Sequence, residues 1–135
     1  MKVEGVTWRR RLFDLSEAGR ISLLRLVGLA YVGFSVLVWG QLLGIEMPGM
    51  VGEPSQVSRA VGVALAVLGP VVALGLWSLA AWGQVVWAIA LTLHVVAIVQ
   101  DWPVTARPEI ALAFHVACVA TFAVLVLVRL VANKG

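Results

Sequence analysis

Two histidines are the residues of this chain whose type and surroundings could support chemistry. His94 lies in the run ALTLHVVAIV, His115 lies in the run ALAFHVAC, and the chain contains no other histidine. An imidazole can ligate haem iron or another metal, carry a proton, or form a hydrogen bond to a neighbouring helix. Cys118 is the single cysteine, and the three side chains show no recognised spacing of metal ligands. We therefore expect no metal site.

The depths of the two histidines would allow them to meet. On membrane-spanning helices both would lie in the outer half of the bilayer, at depths that differ by about 3 Å. Spans joined by a short loop are expected to be neighbours at about 8–10 Å, which is too close for a haem between them. The default interpretation is a buried neutral imidazole bonded to a backbone carbonyl, to Thr92 or Thr121, or to the other histidine. The alternative is a redox-linked membrane protein that holds haem b or a quinone near His94 and His115.

The composition indicates that lipid surrounds the elements that position these side chains. Of the 135 residues, 61% are hydrophobic and 13% are charged, and the mean hydropathy is +1.00. Soluble domains are about half apolar and about one-quarter charged. Four apolar runs are long enough to cross about 30 Å of hydrocarbon as helices: residues 21–43, 59–79, 82–100 and 109–130. The sequence therefore predicts an all-α polytopic membrane protein, a single membrane domain over residues 1–135 with four transmembrane helices in an antiparallel bundle.

The basic residues predict the orientation of the spans. Eight of the ten lysines and arginines flank the two ends of the chain: Lys2, Arg9, Arg10, Arg11, Arg20, Arg25, Arg129 and Lys134. Because cytoplasmic flanks carry the excess of Lys and Arg, both termini are predicted to be cytoplasmic. Basic residues beside apolar spans indicate membrane lipids as partners and do not indicate nucleic acid.

The first 20 residues are predicted to form a cytoplasmic or interfacial segment. In WRRRLFDLSEAG (residues 8–19), Trp8, Leu12 and Leu15 would share one face of a short amphipathic helix, with arginines on the other. This segment could bind lipid or a cytoplasmic partner, and we favour a topology anchor. The residues expected at the lipid interface are Trp8, Arg9, Arg10, Arg11, Arg25, Trp82 and Arg129.

Small residues recur along two of the predicted spans. They are Gly62, Ala66, Gly69 and Ala73 in the second span, and Ala113, Ala117 and Ala120 in the fourth. Such stripes allow helix backbones to approach closely in lipid, so we expect both to pack within the bundle. An exposed stripe would instead indicate a docking surface for another membrane protein or for a second copy of this chain.

The residues that are missing disfavour two classes of function. No Asp, Glu or Lys lies in the central part of a predicted span, and Pro70 is the only helix breaker there. Ion-coupled transporters usually carry such charges, so a small-solute transporter is the third choice. No nucleophile or carboxylate pair is set out for catalysis. The sequence favours a non-enzymatic accessory or assembly subunit of a membrane complex, acting through helix packing.

Two stretches resemble a known group of sequences. The hairpin pattern LW-x-L-x-x-WG-x-VVW within residues 70–91 and the W-x-x-LLG end of the first span are similar to a family of short bacterial inner-membrane proteins known only as a domain of unknown function. The resemblance covers nearly the whole chain and implies four spans and no established activity. A looser likeness, through LLRLVGLAYVGF in residues 23–34, is to DoxX-like four-helix proteins.

Overall fold

A computed structural model of the chain shows four helices in series. They are α1 (Lys2–Leu42), α2 (Gln56–Trp77), α3 (Ala81–Val99) and α4 (Pro108–Asn133). The structure describes residues 2–50, 53–101 and 104–133, with side chains from residue 8 onward, so Lys134 and the side chain of Lys2 lie outside the described residues. All four helices are long and apolar enough to cross a membrane, and these ranges contain no strand. The predicted all-α arrangement of four candidate spans is confirmed.

The N-terminal amphipathic segment is continuous with the first span. α1 runs without a break for 41 residues, about 60 Å at 1.5 Å per residue, so residues 8–19 are helical and lead directly into the first span. One reason is that α4 supports this end of α1. Glu17 forms an ion pair with Arg129, with 3.3 Å between Oε2 and Nη1. The Arg129 guanidinium also lies 5.5 Å from the centre of the Phe13 ring. The interfacial position of this segment stays a prediction.

The hairpin between α2 and α3 depends on two glycines. A Cβ atom at Gly75 would collide with Cα of Gly83, and one at Gly83 would collide with the backbone of Gly75. The turn between the helices places Leu79 in the left-handed region, at φ +56°. The two helices therefore pack backbone to backbone at the end of the bundle that the charge pattern assigns to the cytoplasm.

The small-residue stripe of α2 packs against α1. Gly62, Ala66 and Gly69 are buried and Ala73 is half-buried. A Cβ atom at Gly69 would meet the Ser35 hydroxyl and would lie 2.9 Å from the Tyr31 carbonyl oxygen. The largest fully buried side chains lie on these same two helices: Leu24, Val27, Val38, Leu65, Val72 and Leu76. The core of the bundle is the interface between α1 and α2.

The small-residue stripe of α4 faces the outside of the bundle. Ala113, Ala117 and Ala120 are all exposed, and only His115 and Cys118 of this 26-residue helix are buried. The expected packing within the bundle is therefore not found for this stripe. The reason is that α4 packs mainly on α1 and meets α3 at few points, so most of its circumference has no helix of this chain against it.

The helices do not close into an evenly packed ring. α1 packs between α2 and α4, α2 packs against α3, and α3 and α4 are the most loosely packed of the helix pairs whose backbones come close. The sequence predicts α3 and α4 as close neighbours because their loop is short. They do meet, through the side chains of His94 and His115. Aromatic side chains of α1 lie beside both: Phe34 stacks on the ring of His94, and Tyr31 contacts the ring of His115.

The predicted interface residues lie on the outside. Trp8, Arg9, Arg10, Arg11, Arg25 and Trp82 are exposed and Arg129 is half-buried. The Arg25 guanidinium lies over the ring of Trp77 at 5.3 Å. Exposed arginines beside exposed tryptophans are typical of a helix bundle that meets lipid headgroups.

Candidate ligand site at the His94–His115 pair

The two histidines meet inside the bundle. Nε2 of His115 and Nδ1 of His94 lie 3.0 Å apart in a hydrogen bond that joins α4 to α3. Both residues are more than nine-tenths buried. His94 reaches across because its helix face carries the small residues Ala90 and Ala97. Among the partners that the sequence allows, His94 has the other histidine, while the Thr92 hydroxyl donates to the Ala88 carbonyl oxygen.

Each imidazole keeps one ring nitrogen without a partner. Within the described residues, His94 Nε2 and His115 Nδ1 are buried and make no hydrogen bond. A neutral imidazole carries one N–H donor and one acceptor nitrogen. If His115 donates to His94, the free donor is His94 Nε2 and the free acceptor is His115 Nδ1; if His94 donates, these roles reverse. In both cases the neutral pair offers one donor and one acceptor to its surroundings.

Aromatic rings surround the pair. Phe34 is stacked on His94 with ring centres 5.3 Å apart, and Phe114 meets His115 edge to face at 5.6 Å. The Tyr31 ring centre lies 6.3 Å from that of His115. Aromatic rings from α1 and α4 therefore lie against the two imidazoles.

Tyr31 and Trp87 add two further buried polar atoms that sequence reasoning did not assign to the site. The Tyr31 hydroxyl and the Trp87 indole nitrogen are buried and make no hydrogen bond within the part of the chain that the structure describes. Cys118, also buried, lies one turn beyond His115 on α4. Tyr31 could have been identified from the sequence as a candidate site residue, because it is the only tyrosine of the chain and lies deep in an apolar span.

A cavity of about 400 Å³ adjoins the histidine pair. Its walls come from α1 and α4, and its outer end is formed by the two loops that connect α1 to α2 and α3 to α4. These loops are joined by a hydrogen bond from the Ala106 N–H to the Gly49 carbonyl oxygen, 2.9 Å long. The lining residues are Ala30, Tyr31, Phe34, Leu37, Pro48, Gly49, Met50, His94, Thr105, Arg107, Ile110, Ala111, Phe114 and His115.

The cavity is apolar and opens toward the outside of the bundle. Ala30 on α1 and Phe114 on α4 line it and are exposed, so the gap between these helices faces the surrounding lipid. Arg107 is the one charged side chain among the lining residues that the structure describes. It lies exposed in the outer loop, away from the buried histidines. The site therefore combines an apolar interior, a neutral polar pair and a positive charge at the outer edge.

Comparison with known sequences assigns the chain to a family. Residues 19–133 match the family model described as a family of unknown function, DUF6163. The chain belongs to this family. The DUF6163 match covers every residue that lines the cavity, and it confirms the resemblance to an uncharacterised family, while the likeness to DoxX-like proteins stays a prediction. No curated protein and no solved structure matches the chain significantly.

The geometry of this DUF6163 site distinguishes among the candidate ligands. Bis-histidine haem ligation needs the two coordinating nitrogens on opposite faces of a macrocycle, about 4 Å apart across the iron. Here a direct 3.0 Å hydrogen bond joins the two imidazoles, and this arrangement does not fit such ligation. The described residues also contain no group of three or more His, Cys, Asp or Glu side chains placed to hold a metal ion. An organic molecule that needs only hydrogen bonds and apolar contact fits the pair and its cavity.

Proposed function

We propose that this protein is a non-enzymatic membrane protein that takes a lipophilic small molecule from the bilayer and holds it beside the His94–His115 pair. One observation carries the proposal: two buried histidines, each with an unpaired ring nitrogen, line an apolar cavity that opens between α1 and α4. Its volume of about 400 Å³ lies in the range of small-molecule sites.

The cost of the unpaired nitrogens supports a bound molecule. A buried donor or acceptor without a partner costs about 1–3 kcal/mol. Water occupies an apolar cavity only where polar groups hold it, and an apolar cavity that stays dry can bind apolar molecules. A ligand with an apolar body and one polar end satisfies both parts of the site.

The test is identification of the molecules that remain bound to the protein. The protein is transferred from its host membrane into lipid nanodiscs, and the bound molecules are extracted and analysed by mass spectrometry. Ala111→Phe fills the cavity wall on α4, whereas Leu112→Phe adds a ring to the neighbouring exposed position, which does not line the cavity. We expect a lipophilic molecule in the wild type and in Leu112→Phe, and its loss from Ala111→Phe. Equal retention by both variants would place the ligand elsewhere and overturn the proposal.

The membrane and orientation belong to the same proposal. Four apolar helices support a membrane-embedded protein. The basic residues at the two ends of the chain support an orientation with both termini in the cytoplasm. The resemblance to short bacterial inner-membrane proteins supports a bacterial inner membrane. The cavity would then lie in the outer half of the bilayer, under the two outer loops.

A second candidate function is that of an accessory or assembly subunit, and the outer face of α4 favours it. Ala113, Ala117 and Ala120 form an exposed stripe of small residues, the kind of surface on which transmembrane helices associate. The proposed occupant is a transmembrane helix of another membrane protein.

Co-purification with Ala117→Trp tests the second candidate. Loss of a stoichiometric membrane partner, with the stability of the isolated protein unchanged, supports the accessory role. Co-purification of the same partners with the variant would contradict the accessory role. If the variant instead loses a dimer of this chain, the occupant of the alanine stripe is a second copy and not another protein. Val119→Trp, at an exposed position of α4 outside the alanine stripe, is the matched control.

A further inference from the structure

We infer that the molecule held beside His94 and His115 is a quinone, bound with its ring in the cavity and an oxygen at the histidine pair. This inference rests on the proposed function and narrows it to one chemical class. Three features of the cavity lead to it: charge, shape and hydrogen-bonding capacity.

The charge of the site selects a neutral ligand. No acidic or basic side chain other than Arg107 is among the described lining residues, and Arg107 lies at the outer edge. An ionised carboxylate or phosphate placed next to the histidines would be buried without a partner charge, which is strongly unfavourable. Fatty acids and phospholipid headgroups are therefore poor occupants of the inner part of the cavity.

The shape of the walls selects a planar ring. Tyr31, Phe34 and Phe114 line the cavity together with the two imidazoles. Aromatic side chains pack well against a flat ring, in offset-stacked or edge-to-face geometry. A ring with an apolar tail could leave its tail in the gap between α1 and α4.

The histidine pair matches the hydrogen bonds of both redox forms of such a ring. A quinone carbonyl only accepts hydrogen bonds, whereas a quinol hydroxyl also donates. Because the neutral pair always has one free N–H and one free acceptor nitrogen, it can bond either form. Both histidines line the cavity, and each keeps a buried ring nitrogen without a partner for such a bond.

The test compares two probes with the same tail, decyl-benzoquinone and decylbenzene, which lacks the oxygens. Binding to the protein in lipid nanodiscs is measured as the amount of probe retained per protein at several probe concentrations. We expect wild type to bind the quinone about five- to tenfold more tightly than decylbenzene, the value of one hydrogen bond. His94→Leu combined with His115→Leu should remove this preference and leave the binding of decylbenzene unchanged, which also shows that the variant is folded. Thr92→Leu, a polar-to-apolar change on an exposed part of the same helix, should keep the preference.

The possible outcomes separate the two proposals. Equal binding of the two probes, lost in Ala111→Phe, would overturn the quinone assignment and keep the lipophile-binding function. A preference for the quinone that survives the double histidine change would overturn the role of the pair. If neither probe shows binding that Ala111→Phe abolishes, both the quinone assignment and the proposed function are wrong.

Discussion

Nε2 of His115 and Nδ1 of His94 form a 3.0 Å hydrogen bond between α3 and α4, two helices that make little other contact with each other. α3 and α4 meet at few other points, so this side-chain pair is a principal link between them. The same pair borders the cavity. One interaction therefore links α3 to α4 and forms part of the cavity lining.

Replacing both histidines should lower the free energy of unfolding by less than the sum of the two single replacements. His94→Leu leaves a buried nitrogen of His115 without its partner, and we expect a loss of about 1–3 kcal/mol in the free energy of unfolding. In the double change with His115→Leu, the total loss should be smaller than the sum of the two single losses, because no buried partner is left unpaired. Unfolding in mixed detergent micelles measures all three variants. Strict additivity would show that the two residues do not interact in the folded protein.

Gly69→Leu should destabilise the contact between α1 and α2. A side chain at this position meets the Ser35 hydroxyl and the Tyr31 backbone, and backbone cannot move aside cheaply. We expect a loss of about 1–3 kcal/mol, typical of an overpacked core. Gly33→Leu is the matched control, since a Cβ atom there meets nothing within 4 Å. If both variants unfold at the same denaturant concentration, the two helices do not pack as described.

Glu17→Gln should weaken the tie between α1 and α4 only slightly. Glu17 pairs with Arg20 at 2.6 Å and with Arg129 at 3.3 Å, in a partly exposed position. Such pairs contribute about 0.2–1 kcal/mol and are screened by salt. We expect a small loss of stability at low ionic strength that disappears in concentrated salt. A large loss that does not depend on salt would mean that Glu17 is buried in the membrane or in a complex.

Reporter fusions should place both ends of the chain in the cytoplasm. Fusions before Trp8 and after Lys134 test the ends directly, because the basic residues on both flanks favour the same side. Cytoplasmic activity from both fusions agrees with four spans. An external signal from one fusion alone would mean that one of the four helices does not cross the membrane.

The sequence predicted the four helices well because their existence depends on local properties. The predicted spans 59–79, 82–100 and 109–130 agree within three residues with α2 (Gln56–Trp77), α3 (Ala81–Val99) and α4 (Pro108–Asn133). Length and hydropathy suffice to recognise a span, since every backbone polar group in lipid must be bonded within its own helix. α1 begins well before the predicted span 21–43 and takes in the predicted amphipathic segment, because charge marks the edge of the membrane and does not end a helix.

The site itself was only partly predictable. The two histidines were recognisable as polar residues in apolar runs, and similar depths allowed them to meet. The contributions of Tyr31 and Phe34 were not foreseen, because they come from a helix distant in sequence. The local sequence of α4 around Cys118 also does not indicate that α1 and α4 leave a cavity between them.

Only the tertiary structure decided which face of each helix points inward. Val27 is buried while Leu26 and Leu29 are exposed, although all three are apolar. In a soluble protein the outer face would be polar and would reveal the packing, but lipid tails are as apolar as leucine, so both faces carry the same residue types. For the same reason the alanines of α4 and the glycines of α2 looked alike in the sequence. The sequence determined that the chain forms four helices suited to a lipid environment. The packing of those helices decided where the cavity and the exposed alanine face lie.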